Sequence, residues 1–476
     1  MARTIGLMLG LGFLLLTLLT SPPEGMSEAA WVTAGVGLLM ASWWATEAIP
    51  VPMTSLLPIV LFPMLGLINL KGATAPYAHP VIYLLMGGFI IATALQRWNL
   101  HRRLALTILR QVGNHPYAII GGFMGISAFL SMWISNTATT IMMIPIALSM
   151  ASVLIGGDKK EDNFTICLIL GIAYSASIGG LGTLVGTPPN AMVAAYMSET
   201  YNVEIGFLQW MLLGVPVVLV LVPLAWWLLT RLAFKFEVQH NSNVGDVVRD
   251  ELDGMGNITV PEKRTAIVFL CVALAWVIRP LLQKLPGLGG LSDVIIAVGG
   301  AIAMFMVPSG CANEKGTRLL DWNTAAQIPW GILLLFGGGL SLANMVSDSG
   351  LAQWLGDALA ALTTFHMLIL IFALVTLVIF LTELTSNTAT TATLLPVMGS
   401  IAAVAGLDPM LLTAPMALAA SCAFMLPVAT APNAIVFATD RVSIPQMARA
   451  GVWVNVAGIV VISVLAYLLV PRLLVG

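Results

Sequence analysis

The chain has 476 residues, 59% of them hydrophobic and only 9% charged, with a formal net charge of −2. Soluble domains carry roughly 25% charged residues, so a soluble globular protein is excluded, and the absence of a basic excess argues against nucleic acid as a partner. Long apolar runs, rather than ~10-residue strands of alternating polarity, exclude a transmembrane barrel and leave an all-α polytopic membrane protein.

In chain order, Arg3 precedes an apolar run to Thr20, followed by Ser21-Pro22-Pro23-Glu24. This resembles a signal peptide, but no small-x-small cleavage site follows directly, and residues 1–20 are read as an uncleaved first transmembrane helix. Spans of about 20 residues are expected near 4–20, 29–48, 51–69, 79–97, 164–198, 208–235, 263–283, 291–307, 328–347, 409–439 and 450–474, eleven in all. Two further apolar stretches, 115–155 and 364–405, are each long enough for two short helices. Both carry the same hexapeptide at mid-length: Ser135-Asn136-Thr137-Ala138-Thr139-Thr140 and Ser386-Asn387-Thr388-Ala389-Thr390-Thr391. Ser, Asn and Thr are poor inside helices and strong at helix caps, so each stretch is expected to turn back on itself as a re-entrant hairpin.

The charges agree with that reading. With the N-terminus inside and neither hairpin crossing, sixteen Lys and Arg residues, Lys159, Lys160 and Lys315 among them, lie inside. Only Lys71, Arg279, Lys284 and Arg472 lie outside, as the positive-inside rule requires. A hairpin that crossed fully would invert everything after it and erase this asymmetry.

The duplication extends beyond the hexapeptides. Ile82-Tyr83-Leu84-Leu85-Met86-Gly87-Gly88 matches Ile332-Leu333-Leu334-Leu335-Phe336-Gly337-Gly338, and Gly186-Thr187-Pro188-Pro189-Asn190-Ala191 matches Ala429-Thr430-Ala431-Pro432-Asn433-Ala434. The order is the same in both halves, and an odd number of crossings separates each element from its mate, which makes the repeat inverted. The expected organisation is an N-terminal repeat, 21–240, with hairpin 115–155 and broken helix 164–198. A cytoplasmic linker, 241–262, then leads to a C-terminal repeat, 263–476, with hairpin 364–405 and broken helix 409–439.

Small polar residues at membrane depth need partners, and the same ones placed twice suggest that a ligand satisfies them. Helix N-termini suit an anion; unwound carbonyls, Asn oxygens and hydroxyls suit a hard cation such as sodium. Packing through small residues is the alternative for the hairpin tips, and a plain proline kink is the alternative for either break. Neither tip and neither broken segment contains Lys, Arg or His, so a bound dianion would need its countercharge from cations. Glu47 and Glu383 are expected as buried acids, structural and paired, with proton coupling through Glu383 as the alternative. His79 and His366 are expected at the interface, and Cys167, Cys271, Cys311 and Cys422 as buried free thiols without metal spacing.

Together the two Ser-Asn-Thr motifs, Ala45-Thr46-Glu47-Ala48-Ile49-Pro50, Ile328-Pro329-Trp330-Gly331 running on to Gly337-Gly338-Gly339, and the Thr-Pro-Asn segments resemble the divalent anion/sodium symporter family, the di- and tricarboxylate carriers. The likeness runs essentially the whole chain. It implies a homodimer of eleven-span protomers in lipid, each with a static scaffold and an elevator-type transport domain. The resemblance places one sodium ion (Na+) at Ser131, Ser135, Asn136 and the Gly186 backbone, and a second at Thr382, Thr385, Asn387 and the Ala429 backbone. It places substrate carboxylates at Asn136, Thr137, Ser386, Asn387 and Thr388, with Thr187 and Thr430 nearby. Ala431 departs from the family, which often has proline there, as at Pro188 in the first half.

The expected function is sodium-coupled symport of a C4-dicarboxylate such as succinate, malate or fumarate, in a bacterial inner membrane with the N-terminus cytoplasmic. A sodium-independent exchanger, or a proton-coupled divalent-anion carrier, is the alternative. An enzyme is not expected: no Ser has a positioned His or Lys base, no His-Glu pair has metal spacing, and no nucleotide loop is present. A channel fits hairpins beside broken helices less well than alternating access does.

Overall fold

The computed structural model describes residues 2–113, 115–155, 162–236, 244–311, 316–358 and 366–474. Lys159, Lys160 and Lys315 of the charge count, residues 241–243 of the expected linker and 364–365 of the second hairpin lie outside the described residues. Among the described residues the regular elements are helices, apart from one bridge between Pro308 and Arg318.

The chain opens with α1 (Ala2–Leu19) packed on α2 (Glu28–Thr46), then α3 (Val51–Thr54), α4 (Leu57–Met64), α5 (Leu70–Thr74), α6 (Pro80–Arg97) and α7 (Leu100–Leu109). There follow α8 (Pro116–Ser131), α9 (Asn136–Ile155), α10 (Asn163–Gly179), α11 (Pro188–Tyr201) and α12 (Phe207–Trp227). After α13 (Val244–Gly254) come α14 (Val260–Leu282), α15 (Asp293–Met306), α16 (Trp322–Ala325), α17 (Trp330–Asp348) and α18 (Leu351–Ala358). The chain ends with α19 (Met367–Thr382), α20 (Asn387–Val404), α21 (Met410–Ala420), α22 (Ala431–Phe437) and α23 (Ile444–Leu473). Among the described residues, 7 helices are long and apolar enough to cross a membrane, and the protein is an integral membrane protein.

Helix starts follow the capping chemistry of the sequence. Ser27 accepts from the Ala30 amide, Asp162 from Thr165, and Asp321 from Thr324. Thr259 and Glu262 form a reciprocal capping box at the start of α14. Within the expected linker 241–262, α13 packs on α7 and α9. There Arg102 pairs with Glu251, while Arg103 reaches Glu262 at 2.8 Å and the carbonyls of Met255 and Gly256.

Hydrophobicity alone does not tell a core helix from an outer one; neighbours do. Every residue from Phe164 to Gly182 is buried, and α10 packs between α8, α9, α12 and α22. By contrast α14, equally apolar, turns Ile267, Leu270 and Leu274 outward, and Cys271 with them, so that thiol is exposed rather than buried as expected. Cys167 and Cys422 are buried, Cys311 is intermediate, and all four are free.

Corresponding elements pack alike. α9 lies on α22 as α20 lies on α11, α10 meets α22 as α21 meets α11, and α12 lies against α23. The paired glycines make close approaches possible: a Cβ on Gly87 would lie 2.7 Å from the Ala297 backbone, and one on Gly338 would fall on the Ser55 backbone. α6 thereby seats on α15, and α17 on α3.

Candidate functional site

Each hexapeptide begins a helix. Ser135 caps α9, its hydroxyl accepting from the Ala138 amide at 3.1 Å and its carbonyl from the Thr139 amide at 3.0 Å. The Ser386 carbonyl accepts from the Thr390 amide at 2.8 Å. The turns Met132–Ile134 and Glu383–Thr385 connect these starts to α8 and α19, so both tips end in a helix N-terminus with unpaired amides.

Both tips open on one cavity of about 910 Å³. Asn136, Thr137, Thr187, Ser386, Asn387, Thr388, Thr430 and Ala431 all line it, with Ser135, Gly186, Thr385 and Ala429. Ser131 and Thr382 are fully buried, off its surface. Among the described residues Glu47 is the sole ionisable one in the lining, and none of them there is Lys, Arg or His.

The first group of oxygens is open. Ser131 Oγ and Asn136 Oδ1 are buried without a hydrogen-bond partner among the described residues. A Cβ on Gly180 would stand 3.0 Å from Asn136 Oδ1, 3.1 Å from its Nδ2 and 3.2 Å from the Gly186 carbonyl oxygen, so the Asn136 amide and the Gly186 carbonyl face a space that only glycine leaves free. In the second group the single hydroxyl proton of Thr382 is shared between two acceptors, Asn387 Oδ1 at 2.8 Å and the Ala420 carbonyl at 2.9 Å. Thr385 Oγ1 stands 2.6 Å from Thr390 Oγ1. Neutral oxygens dominate both groups, the chemistry of a hard cation rather than of a soft metal.

The breaks are held by matched asparagines. α10 ends in the glycines Gly179, Gly180 and Gly182, and α21 ends at Ala420, so carbonyls are freed at both breaks that cannot stay unpaired in a dry interior. Asn190 Nδ2 donates to Gly180 at 2.9 Å, Leu181 at 3.3 Å and Thr183 at 2.7 Å. Asn433 Nδ2 likewise donates to Ala423 at 3.1 Å and Leu426 at 3.0 Å. Thr187 and Ser421 hydroxyls, 3.3 Å apart, join the two breaks.

Glu383 is buried and has no basic partner among the described residues. It accepts from the amides of Phe424 (2.7 Å), Met425 (2.9 Å) and Leu426 (3.0 Å) and from Asn455 Nδ2 (2.8 Å). These donors occupy both carboxylate oxygens, the pairing with backbone donors that the structural reading expects. Glu47 overturns the expectation of burial. It ends α2 in the left-handed region (φ 47), is 63% exposed, and lies 3.9 Å from Arg3. The chain turns away from the core there, which carries the carboxylate to the cavity rim. His79 is buried among its neighbours. It caps α6 through Nδ1, and its Nε2 stands 3.5 Å from Glu199. His366 caps α19 and is exposed.

Sequence reasoning missed the supports. Trp210 Nε1 donates to Leu181 at 3.0 Å, Thr183 Oγ1 to the Met132 carbonyl at 2.5 Å, and Asn455 to Glu383. A lone Asn inside the apolar run 450–474 was the available signal for Asn455. Thr93, Gln96 and Gln327 also line the cavity, and no motif marked them.

With this geometry in hand, comparison with known proteins is specific. The family model described as the sodium:sulfate symporter transmembrane region matches residues 1–475. The chain is 41% identical over 479 residues to the sodium-dependent dicarboxylate transporter SdcS of Staphylococcus saprophyticus, covering 99% of this chain and 92% of that protein. It is 40% identical over 481 residues to SdcS of Staphylococcus aureus, with the same coverage. Among solved structures it resembles the YdaH transporter of Alcanivorax borkumensis (TM-score 0.62, 13% identity, 100% of this chain and 99% of that one). It also resembles MtrF of Neisseria gonorrhoeae (TM-score 0.56, 14% identity, 97% and 94%). At such identities these two likenesses speak to the fold alone.

Proposed function

This chain belongs to the sodium:sulfate symporter family, and from that premise we propose that it is a sodium-coupled symporter of C4-dicarboxylates such as succinate, malate and fumarate. It is a transporter and not an enzyme. The observation that carries the substrate reading is the cavity: two Ser-Asn-Thr tips and two Thr-led breaks face one space with no basic side chain. The N-termini of α9 and α20 contribute about +0.5 charge each, half of what a dianion needs. Bound sodium supplies the remaining positive charge.

The first sodium position is Ser131, Ser135, Asn136 and the Gly186 carbonyl; the second is Thr382, Thr385, Asn387 and the Ala429 carbonyl. The unpartnered Ser131 and Asn136 oxygens and the glycine-lined cradle fit a sodium ion. Substrate carboxylates meet Asn136 and Thr137 at one tip and Ser386, Asn387 and Thr388 at the other, with Thr187, Thr430 and Ala431 between them. The electrostatic consequence is coupling: the dianion binds well only beside the cations, and the cations are retained best beside the dianion.

The transport step is an elevator movement of α8–α11 and α19–α22 against the remaining helices. It is supported by the mutual packing of those two sets, which hold both ends of the substrate site. The hairpins α8–α9 and α19–α20 are re-entrant, and eleven spans form an inverted repeat. The protein resides in a bacterial inner membrane with a cytoplasmic N-terminus, as the Lys and Arg asymmetry supports. The outward apolar face of α14 is compatible with lipid and with a second copy in a homodimer.

The test is uptake of labelled succinate into proteoliposomes with and without an inward sodium gradient. A gradient-dependent rate is expected, and equal rates would reject the coupling. A requirement for unlabelled substrate inside the vesicles would identify an exchanger instead.

A further inference from the structure

The two proposed ion positions are built from like residues but differ in internal pairing. In the first hairpin Ser127 Oγ, Ser131 Oγ, Asn136 Oδ1 and Thr139 Oγ1 are all buried and have no hydrogen-bond partner among the described residues. Ser127 and Ser131 are one turn apart on α8, and Asn136 and Thr139 one turn apart on α9. The counterparts in the second hairpin are Val378, Thr382, Asn387 and Thr390. Val378 offers no oxygen. Thr382 is bonded to Asn387 and to the Ala420 carbonyl, and Thr390 is bonded to Thr385.

We infer that the two positions are unequal: the first hairpin is preformed for its cation, whereas the second forms its site only when the Thr382–Asn387 bond opens. The inference rests on the sodium-coupled reading above. Buried oxygens without donors are costly to leave so, and a cation removes that cost without rearranging them. In the second hairpin the ion competes with a bond already made. Neighbouring ligands on an ion of this size, at about 2.4 Å as for calcium, stand about 3.4 Å apart. Thr382 Oγ1 and Asn387 Oδ1 are 2.8 Å apart, so they must separate and the hydroxyl proton must turn away. The net worth of one neutral hydrogen bond corresponds to roughly a 2- to 12-fold difference in affinity. Sodium therefore fills the first position at the lower concentration, and the second hairpin responds later.

Hydrogen exchange of the purified full-length protein tests this without transport. Sodium chloride is titrated against choline chloride at constant ionic strength, with no substrate present. Amides of 132–139 are expected to gain protection at a sodium concentration several-fold below that protecting 383–390. Asn387→Ala is expected to remove the later transition and leave the midpoint of the earlier one unchanged. Coincident midpoints in the wild-type protein, or earlier protection of the second hairpin, overturn the inference while leaving sodium coupling intact. Absence of sodium-specific protection at both hairpins overturns sodium coupling, and the inference with it.

Discussion

Asn190→Ala tests whether the first break depends on one side chain. Asn190 Nδ2 holds three carbonyls, but they differ in what remains once it is gone. Leu181 keeps the Trp210 indole at 3.0 Å, and Thr183 keeps a long bond from the Gly186 amide at 3.4 Å. Gly180 is left shortest of donors. A buried carbonyl without its partner costs about 1–3 kcal/mol, and two weakened bonds add about 0.5–1.5 kcal/mol each, so the loss is about 2–6 kcal/mol. Gly180 also abuts Asn136 and the Gly186 carbonyl, so the damage falls on the first ion position. If about 1.4 kcal/mol of it is felt there, half-saturating sodium rises about tenfold. Sodium-dependent thermal unfolding in detergent, followed by size-exclusion chromatography, and the sodium dependence of succinate uptake are the two assays. Asn433→Ala should be milder, because Glu383 grips the second break independently through the amides of Phe424, Met425 and Leu426. An Asn190→Ala protein with wild-type melting and wild-type sodium dependence would refute the reasoning.

Asn136→Ala or Asn387→Ala should abolish sodium-driven uptake while leaving a monodisperse, folded protein; wild-type-like uptake by both would remove the site assignment. Gly179→Leu should lower thermal stability by at least the ~1–3 kcal/mol of an overpacked core, since any Cβ there falls on the Ala128 backbone. Gly12→Leu, with open space around it, is the control and should melt like wild type. Arg3→Ala should shift the melting temperature little, because an ion pair this exposed contributes about 0–1 kcal/mol; a large shift would show that the Arg3–Glu47 pair has another role. In a cysteine-free background, a membrane-impermeant maleimide added from outside should label Lys71→Cys and spare Lys263→Cys; the reverse pattern would invert the topology.

Much of this protein was legible in its sequence because membrane depth leaves few solutions. Apolar length marks the helices, proline and glycine mark the breaks, and a polar hexapeptide written twice marks the facing tips. The missing basic side chains were equally visible, and the cavity lining contains none. What the chain alone could not decide were pairings that turn on a few tenths of an ångström between distant atoms. Ser131 with Asn136 and Thr382 with Asn387 read as equivalents, yet one pair is open and the other bonded to itself. Glu383 and Glu47 are both acids in apolar surroundings. One finds its donors at Phe424–Leu426 and Asn455, and the other is turned out to the rim beside Arg3 by a left-handed residue. Local pattern determines where the chain bends and which groups arrive at the bend. Only the packed helices determine which of those groups find a partner, since partners such as Ala420, Phe424 and Asn455 lie far along the chain, and even a near pair such as Thr382 and Asn387 is set at its distance by close-packed neighbours.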